Sequence, residues 1–339
     1  MPGAAGGNHT RGSVVDRAVQ RADEWQQHHR APAFIVGVVK KYGDDRGGHL
    51  AALITYYGFL SLFPLLLVLV TVLGFLLHDN PSLRRDLLDS ALADFPVIGP
   101  QLRKNVGALG GNGLALAIGL LGLVWGSLGV AQVAQHAMAQ VWNIAVARRP
   151  SFFPRLARSV LVLGVLGLAI GATTALTAVA TLVPSSIVVT GVSTALLVVV
   201  NVALYWLAFR VLTPKEVASS DLWPGAVVGG AAWTALQALG GWLVARQLRH
   251  TGELYGTFGV VLGLLFFLYL AAQIVVYASE VNVVRARHLF PRSLQPPPLT
   301  EADERVLADI AGSEVRRPEE TVDVDFEERS QPSAVDRGR

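Results

Sequence analysis

Cysteine is absent from the 339 residues, which removes disulfides, thiolate nucleophiles, iron–sulfur clusters and cysteine-ligated zinc together. Charge is scarce too. Asp, Glu, Lys and Arg make up 16% of the chain, against about a quarter in an ordinary soluble domain. Apolar residues take their place, at 52% before the 34 glycines are counted, so a water-soluble enzyme is a poor fit. The net charge of +3 gives no footing for nucleic acid, because the charges gather at the ends and in short loops.

What the chain does have is long runs without charge. A helix crosses about 30 Å of hydrocarbon in roughly 20 residues, and six runs reach that length: 50–77, 113–134, 159–183, 187–209, 222–245 and 254–279. The third and fourth form one stretch interrupted at Pro184, Ser185 and Ser186, which reads as a helical hairpin. Backbone in lipid must satisfy its own hydrogen bonds, and barrel strands would alternate over about 10 residues, so these runs are helices. The expected fold class is all-α: a polytopic membrane protein with six transmembrane helices and an N-terminal amphipathic helix. Residues 1–46 form a cytoplasmic segment, 47–292 the membrane domain and 293–339 a tail.

Lys and Arg set the orientation. One side of the six spans would carry sixteen of them, including seven before the first span and Arg148, Arg149, Arg155 and Arg158 between the second and third. The other side would carry six. Both termini are therefore expected in the cytoplasm. No small-residue cleavage site follows the first apolar run, so that span is expected to be retained.

Val15, Ala18, Ala22 and Trp25 recur at helical spacing among charged residues, the pattern of an amphipathic helix. Phe34 to Tyr42 is a second short apolar piece, and the cytoplasmic leaflet is the expected home of both. A helix from Ser82 to Ala93 is expected in the loop after the first span. From Leu299 onward twelve acids stand against six bases behind three prolines, a composition that predicts disorder.

Polar side chains within the spans mark where function would sit, because lipid penalises them. Gln132, His136, Gln140 and Asn143 follow one another at steps of four, four and three, which predicts one inward face. Gln273, Tyr277 and Glu280 follow the same rule at the end of the last span, with Asn282 just beyond. Glu280 reads either as an interfacial ion pair with Arg285 or another basic loop residue, or as a substrate or proton group. His136 reads as a hydrogen-bonded structural residue or as a proton relay. Thr173, Thr177 and Thr181 in the third span need mean no more than bonds to their own helix. Glycines four apart at Gly122 and Gly126, Gly167 and Gly171, Gly225 and Gly229, and Gly259 and Gly263 read as helix-packing surfaces, within one bundle or between protomers alike. Pro64 is expected to kink the first span.

Several of these residues fall into motifs. Thr55-Tyr56-Tyr57 with Ser61-Leu62-Phe63-Pro64 resembles the opening signature of the YihY/BrkB family of bacterial inner-membrane proteins. Val141-Trp142-Asn143, Phe209 to Pro214, Leu222-Trp223-Pro224-Gly225-Ala226, Tyr255-Gly256-Thr257-Phe258-Gly259 and Ala278-Ser279-Glu280-Val281-Asn282 continue it in order. The resemblance implies six helices with both ends cytoplasmic, and little about activity. Some members bear the label ribonuclease BN, yet only His28 and His29 are adjacent among the eight histidines and no carboxylate-rich motif joins them. Nuclease chemistry is therefore not expected. The expected role is a non-enzymatic transporter or permease-like component in the bacterial inner membrane, without cofactor, metal or nucleic-acid partner. Membrane lipids surround it, and an anionic or amphiphilic substrate, met by Arg148, Arg149, Arg155 and Arg158, would suit its features. A membrane scaffold is the alternative.

Overall fold

The structure is a computed structural model that describes residues 9–76, 113–149, 151, 153–162, 164, 165, 167, 168, 187–213, 216–247, 256–296 and 298–326. The expected Ser82–Ala93 helix, the Pro184 hairpin, the three span-three threonines, Pro214 and Tyr255 lie outside those residues.

Among the described residues all regular structure is helical: α1 His9–Gln27, α2 Arg30–Asp44, α3 Gly47–Leu76, α4 Gly113–Val141, α5 Ile187–Leu212, α6 Trp223–Gln247, α7 Gly256–Ala286 and α8 Glu301–Ser313. Residues 153–162 are helical as well. Short 3-10 turns occupy Val146–Arg148 and Ser219–Leu222. Three stretches, Ala117–Val141, Gly191–Leu212 and Val261–Ala286, are long and apolar enough to cross a membrane. Their outward faces keep large apolar side chains in the open, with Trp125 75% exposed on α4, which suits contact with lipid rather than water.

Small residues let the helices meet. Along α4, Gly122, Gly126 and Gly129 face α3, where an added Cβ would stand 3.3 Å from Pro64, 3.2 Å from Ser61 and 2.6 Å from the Tyr57 ring. The opening motif of α3 is thus a packing surface, with Tyr57 inside it and Tyr56 exposed. Gly229 and Gly230 on α6 receive Tyr205 and Val202 of α5 in the same manner. At Gly225 the approach is closest: a Cβ would lie 1.9 Å from the Ala278 carbonyl of α7. There the Gly225 N–H donates to Asn282 Oδ1 at 2.6 Å, so two motifs distant in sequence form one contact. Gly167, Gly259 and Gly263 have nothing near them, and so serve no packing surface among the described residues.

Two polar pairs link helices within the bundle. Asn201 Nδ2 donates to Thr234 Oγ1 at 2.9 Å and Gln135 Nε2 to Ser159 Oγ at 3.0 Å. The buried core gathers at one end of the bundle, where Val38, Met138, Val141, Phe209, Leu222 and Val284 meet.

Two expectations are corrected. The Phe34 to Tyr42 piece belongs to α2, which does not stand apart on a surface. Ala33, Gly37, Val38 and Lys41 are buried, and a Cβ at Gly37 would touch the Leu289 carbonyl, Val284 and Phe290 at 3.0–3.3 Å. The tail from Leu299 is not disordered throughout. Thr300 caps α8 in a reciprocal capping box with Asp303, and Ala302 and Val306 are buried. Composition misled there because some of the tail's acids are paired rather than solvated.

Gly225→Val should lower thermal stability by about 1–3 kcal/mol or more through overpacking. Gly259→Ala, with open space around it, should be neutral or stabilising by up to about 1 kcal/mol. Unfolding of the purified variants in detergent checks both.

Candidate functional site: a buried charge cluster between α2 and α7

Lys41 and Asp45 are four residues apart, so the end of α2 presents both on one side. Lys41 is fully buried and heads the fully buried side chains in size among the described residues. Its Nζ donates to Asp45 Oδ2 and to the Val141 carbonyl at 3.2 Å. Val141 ends α4, so that carbonyl is one the helix leaves without an internal partner. Across the junction, Glu280 Oε2 of α7 stands 3.9 Å from the Lys41 ammonium. Glu280 is also fully buried. Neither of its oxygens receives a hydrogen bond from a described residue, although it lies against Asp45.

The junction depends on how α4 ends. Asn143 has φ 47°, the Ile144 N–H reaches the Ala139 carbonyl at 2.9 Å, and the Asn143 N–H reaches that of Gln140 at 2.8 Å. This is the Schellman closure, in which an Asn tolerates the left-handed position. It turns the Asn143 side chain to the Asp45 carboxylate. Burial raises the Asp45 carboxyl above its usual range, and Lys41 draws it back only in part.

Two aromatic groups continue the cluster. The Tyr42 and Tyr277 rings stack with centroids 3.8 Å apart, and Gln273 Nε2 donates to the Tyr42 hydroxyl at 3.3 Å. Beside them opens a cleft of about 430 Å³ lined by Tyr42, Gly43, Arg46, Gly47, His49 and Tyr269. A second cleft of about 540 Å³ lies between the start of α6 and the end of α7, lined by Asp221, Trp223, Pro224, Arg285 and His288 among others. Trp206 stacks on Trp223 at 6.0 Å and donates to the Ser219 carbonyl at 3.2 Å.

The tail helix closes over the same end. Asp303, nearly inaccessible, accepts from Arg292 Nε at 2.5 Å, the Ser293 N–H at 2.9 Å, the Thr300 hydroxyl at 2.8 Å and Lys40 at 3.3 Å. Burial pushes its carboxyl up, but the donors from Arg292, Ser293 and Thr300 outweigh that and hold it at about 2. Arg292 also pairs with Asp44 at 2.8 Å. Arg287 joins Asp309 of α8 to the Trp142 carbonyl, both at 2.7 Å.

Of the residues singled out from sequence, Gln273, Tyr277 and Glu280 do converge, while Asn282 serves the Gly225 contact. The expected single face of α4 divides. Gln132 and Gln140 are half-buried on the helix, His136 is exposed, and Asn143 lies beyond the helix end. His136 Nδ1 instead meets Arg149 Nη1 at 3.1 Å, so it is the acceptor there. Arg149 also holds the Ile144 carbonyl at 3.3 Å. Arg148 and Arg155 are exposed and Arg158 half-buried. Glu280 faces Lys41, whereas Arg285 is exposed and borders the second cleft. Sequence reasoning missed Lys41, Asp45, Gln135 and Asn201. A signal existed for Lys41, since small Ala33 and Gly37 precede it at steps of four on α2.

The family described as virulence factor BrkB matches residues 38–301, a range that holds Lys41, Asp45 and Glu280 and ends at the first residue of the tail helix. The inner membrane protein YhjD of Escherichia coli K12 is 28% identical over 186 residues, 51% of this chain and 54% of that protein. The chain thus spans about half the length of that relative. An uncharacterized protein of Dickeya dadantii 3937, Dda3937_02003, is 26% identical over 274 residues, 74% of this chain and 82% of that protein. No solved structure matches the chain. The chain belongs to the virulence factor BrkB family and is a membrane protein.

Lys41→Met removes the cation from between two buried carboxylates and should cost about 3–5 kcal/mol at neutral pH. Asp45→Asn in the same chain should restore much of it, and acidification should narrow the gap to wild type. Thermal unfolding of the three proteins across pH checks this. Asp303 titrates at about 2 instead of its ordinary 3.8. Its depressed value stabilises the docked tail by about 2 kcal/mol, fully above pH 3.8 and lost as pH falls through about 2. Asp303→Asn should remove that contribution at neutral pH, seen as faster hydrogen exchange in Glu301–Ser313.

Proposed function

We propose that this BrkB-family membrane protein is a transporter or permease-like component whose polar centre is the Lys41–Asp45–Glu280 cluster. One observation carries the reading: two carboxylates and an ammonium are buried at the meeting of α2, α4 and α7, and no donor among the described residues reaches Glu280. Burying an ion costs several kcal/mol even after relaxation, and apolar residues would pack a bundle end more stably. Ionisable groups kept inside a membrane bundle are characteristic of substrate and ion paths.

An anionic or amphiphilic substrate suits the clefts beside the cluster. Arg285 and His288 border one with Trp223 and a single acid, Asp221, and Arg46 and His49 border the other with Tyr42 and Tyr269. A cationic residue next to an aromatic at a bundle end favours a headgroup with a negative charge and an apolar body. In this reading six spans cross the bacterial inner membrane with both termini in the cytoplasm, as the Lys and Arg distribution favours, and the relative named an inner membrane protein supports the location. The chain then acts without catalysis, and α1 lies along the cytoplasmic leaflet.

The scaffold alternative draws on a separate observation. The tail helix is pinned by Asp303 and Asp309 to Arg292, Lys40 and Arg287, which displays a fixed cytoplasmic surface to partners.

Purification in native lipid discs, with mass spectrometry of what accompanies the protein, separates the two. The transport reading predicts one anionic amphiphile enriched over bulk lipid and lost in Glu280→Gln and in Arg285→Ala. Bulk lipid alone, identical in wild type and both variants, contradicts it and favours the scaffold.

A further inference from the structure

Glu280 and Asp45 both border the Lys41 ammonium in a fully buried site, the one cation there among the described residues, and full ionisation would leave a net charge of −1. Lys41 directs its hydrogen bonds to Asp45 and to the Val141 carbonyl and lies 3.9 Å from Glu280. No described donor reaches either Glu280 oxygen. Two carboxylates in contact have only acceptors to offer one another, so they bond only when one carries a proton.

We propose that Glu280 and Asp45 share one exchangeable proton, and that this pair is the proton-binding site of the protein. Its role in coupling rests on the transport reading, whereas its chemistry does not. With that proton the cluster is neutral: Lys41 positive, one carboxylate negative, one carboxyl uncharged. A metal cation fits less well, because the Lys41 ammonium already occupies the space among the oxygens.

The surrounding elements leave the balance unchanged. From α2, Tyr42 and Asp44 approach; Asp44 is paired with Arg292 at 2.8 Å. From α7 come Tyr269 and Tyr277, and the end of α4 supplies only the Val141 carbonyl and the Asn143 amide. Arg287 is engaged by Asp309 and the Trp142 carbonyl.

Release is also constrained. When the Glu280 O–H bond breaks, the proton passes to water and the electron pair stays on the carboxylate, leaving the site at −1. A fully buried junction does not hold that charge, so release requires water to reach the site. The cleft lined by Gly43, Arg46 and Gly47 adjoins the turn that carries Asp45, and it provides the entrance.

Infrared spectroscopy of the full-length protein in lipid discs, read as the C=O band of buried protonated carboxyls at neutral pH, counts the proton. Charge balance predicts one such carboxyl in wild type, none in Glu280→Gln, none in Asp45→Asn and two in Lys41→Met. Either carboxamide variant suffices if the other fails to fold. Absence of the band in wild type, or its survival in both carboxamide variants, overturns the proposal. No substrate enters the measurement. Enriched amphiphile without a protonated carboxyl overturns the proton site and leaves transport standing, while the predicted carboxyl count without enriched amphiphile supports the site and withdraws its coupling role.

Discussion

An ammonium group sealed inside a helix junction dictates the arrangement around it. Lys41 cannot remain buried unless its proton donors meet acceptors and its charge meets an opposite one. Three elements answer that requirement: Asp45 from the turn after α2, the carbonyl at the end of α4, and Glu280 from α7. Each must stop or turn where it does. The α4 helix ends on the left-handed Asn143 so that Val141 exposes its carbonyl, and α2 carries small residues at Ala33 and Gly37 so that its backbone comes close to α7. An apolar replacement of equal volume often packs as well or better, so stability alone does not account for the ion cluster.

The same end of the bundle collects the family's motifs. Trp223-Pro224-Gly225 meets the Ala278 to Asn282 segment through the tightest approach at any described glycine, and Val141-Trp142-Asn143 supplies both the carbonyl for Lys41 and the one for Arg287. The opening motif of α3 does other work, since Tyr57, Ser61 and Pro64 fit the glycines of α4. The motifs therefore divide into a packing group within the apolar bundle and a polar group at one end. Trp223 and Pro224 of the polar group also line the larger cleft.

Much of this was legible in advance. Charge-free runs located the long helices because lipid-compatible helices need no polar face, and the Gly122, Gly126, Gly225 and Gly229 spacings pointed to close packing that the helices do make. Glu280, Tyr277 and Gln273 were legible as unusual polar groups near an apolar helix's end. Lys41 was not, because a lysine after an apolar stretch looks like an interfacial anchor, and only the tertiary fold shows that, besides Asp45, it meets the Val141 carbonyl and Glu280 from far along the chain. Asn143 was misplaced by one turn of reasoning: helical periodicity carries past a helix end unless a left-handed residue is recognised there. The tail was misread from composition, although Thr300 followed by Asp303 three residues later already spelled a helix start.

The central claim is that α2 is docked into the bundle against α7 rather than lying apart from it. The natural lack of cysteine makes a direct measurement simple. A Cβ at Gly37 stands 3.3 Å from the Phe290 Cβ, within reach of a disulfide, which needs about 3.5–4.5 Å after small adjustment. Gly37→Cys with Phe290→Cys, oxidised in isolated membranes, should give near-complete intramolecular crosslinking of the full-length chain. Two free thiols after oxidation in a folded protein would mean that α2 lies elsewhere, and the buried charge cluster with it.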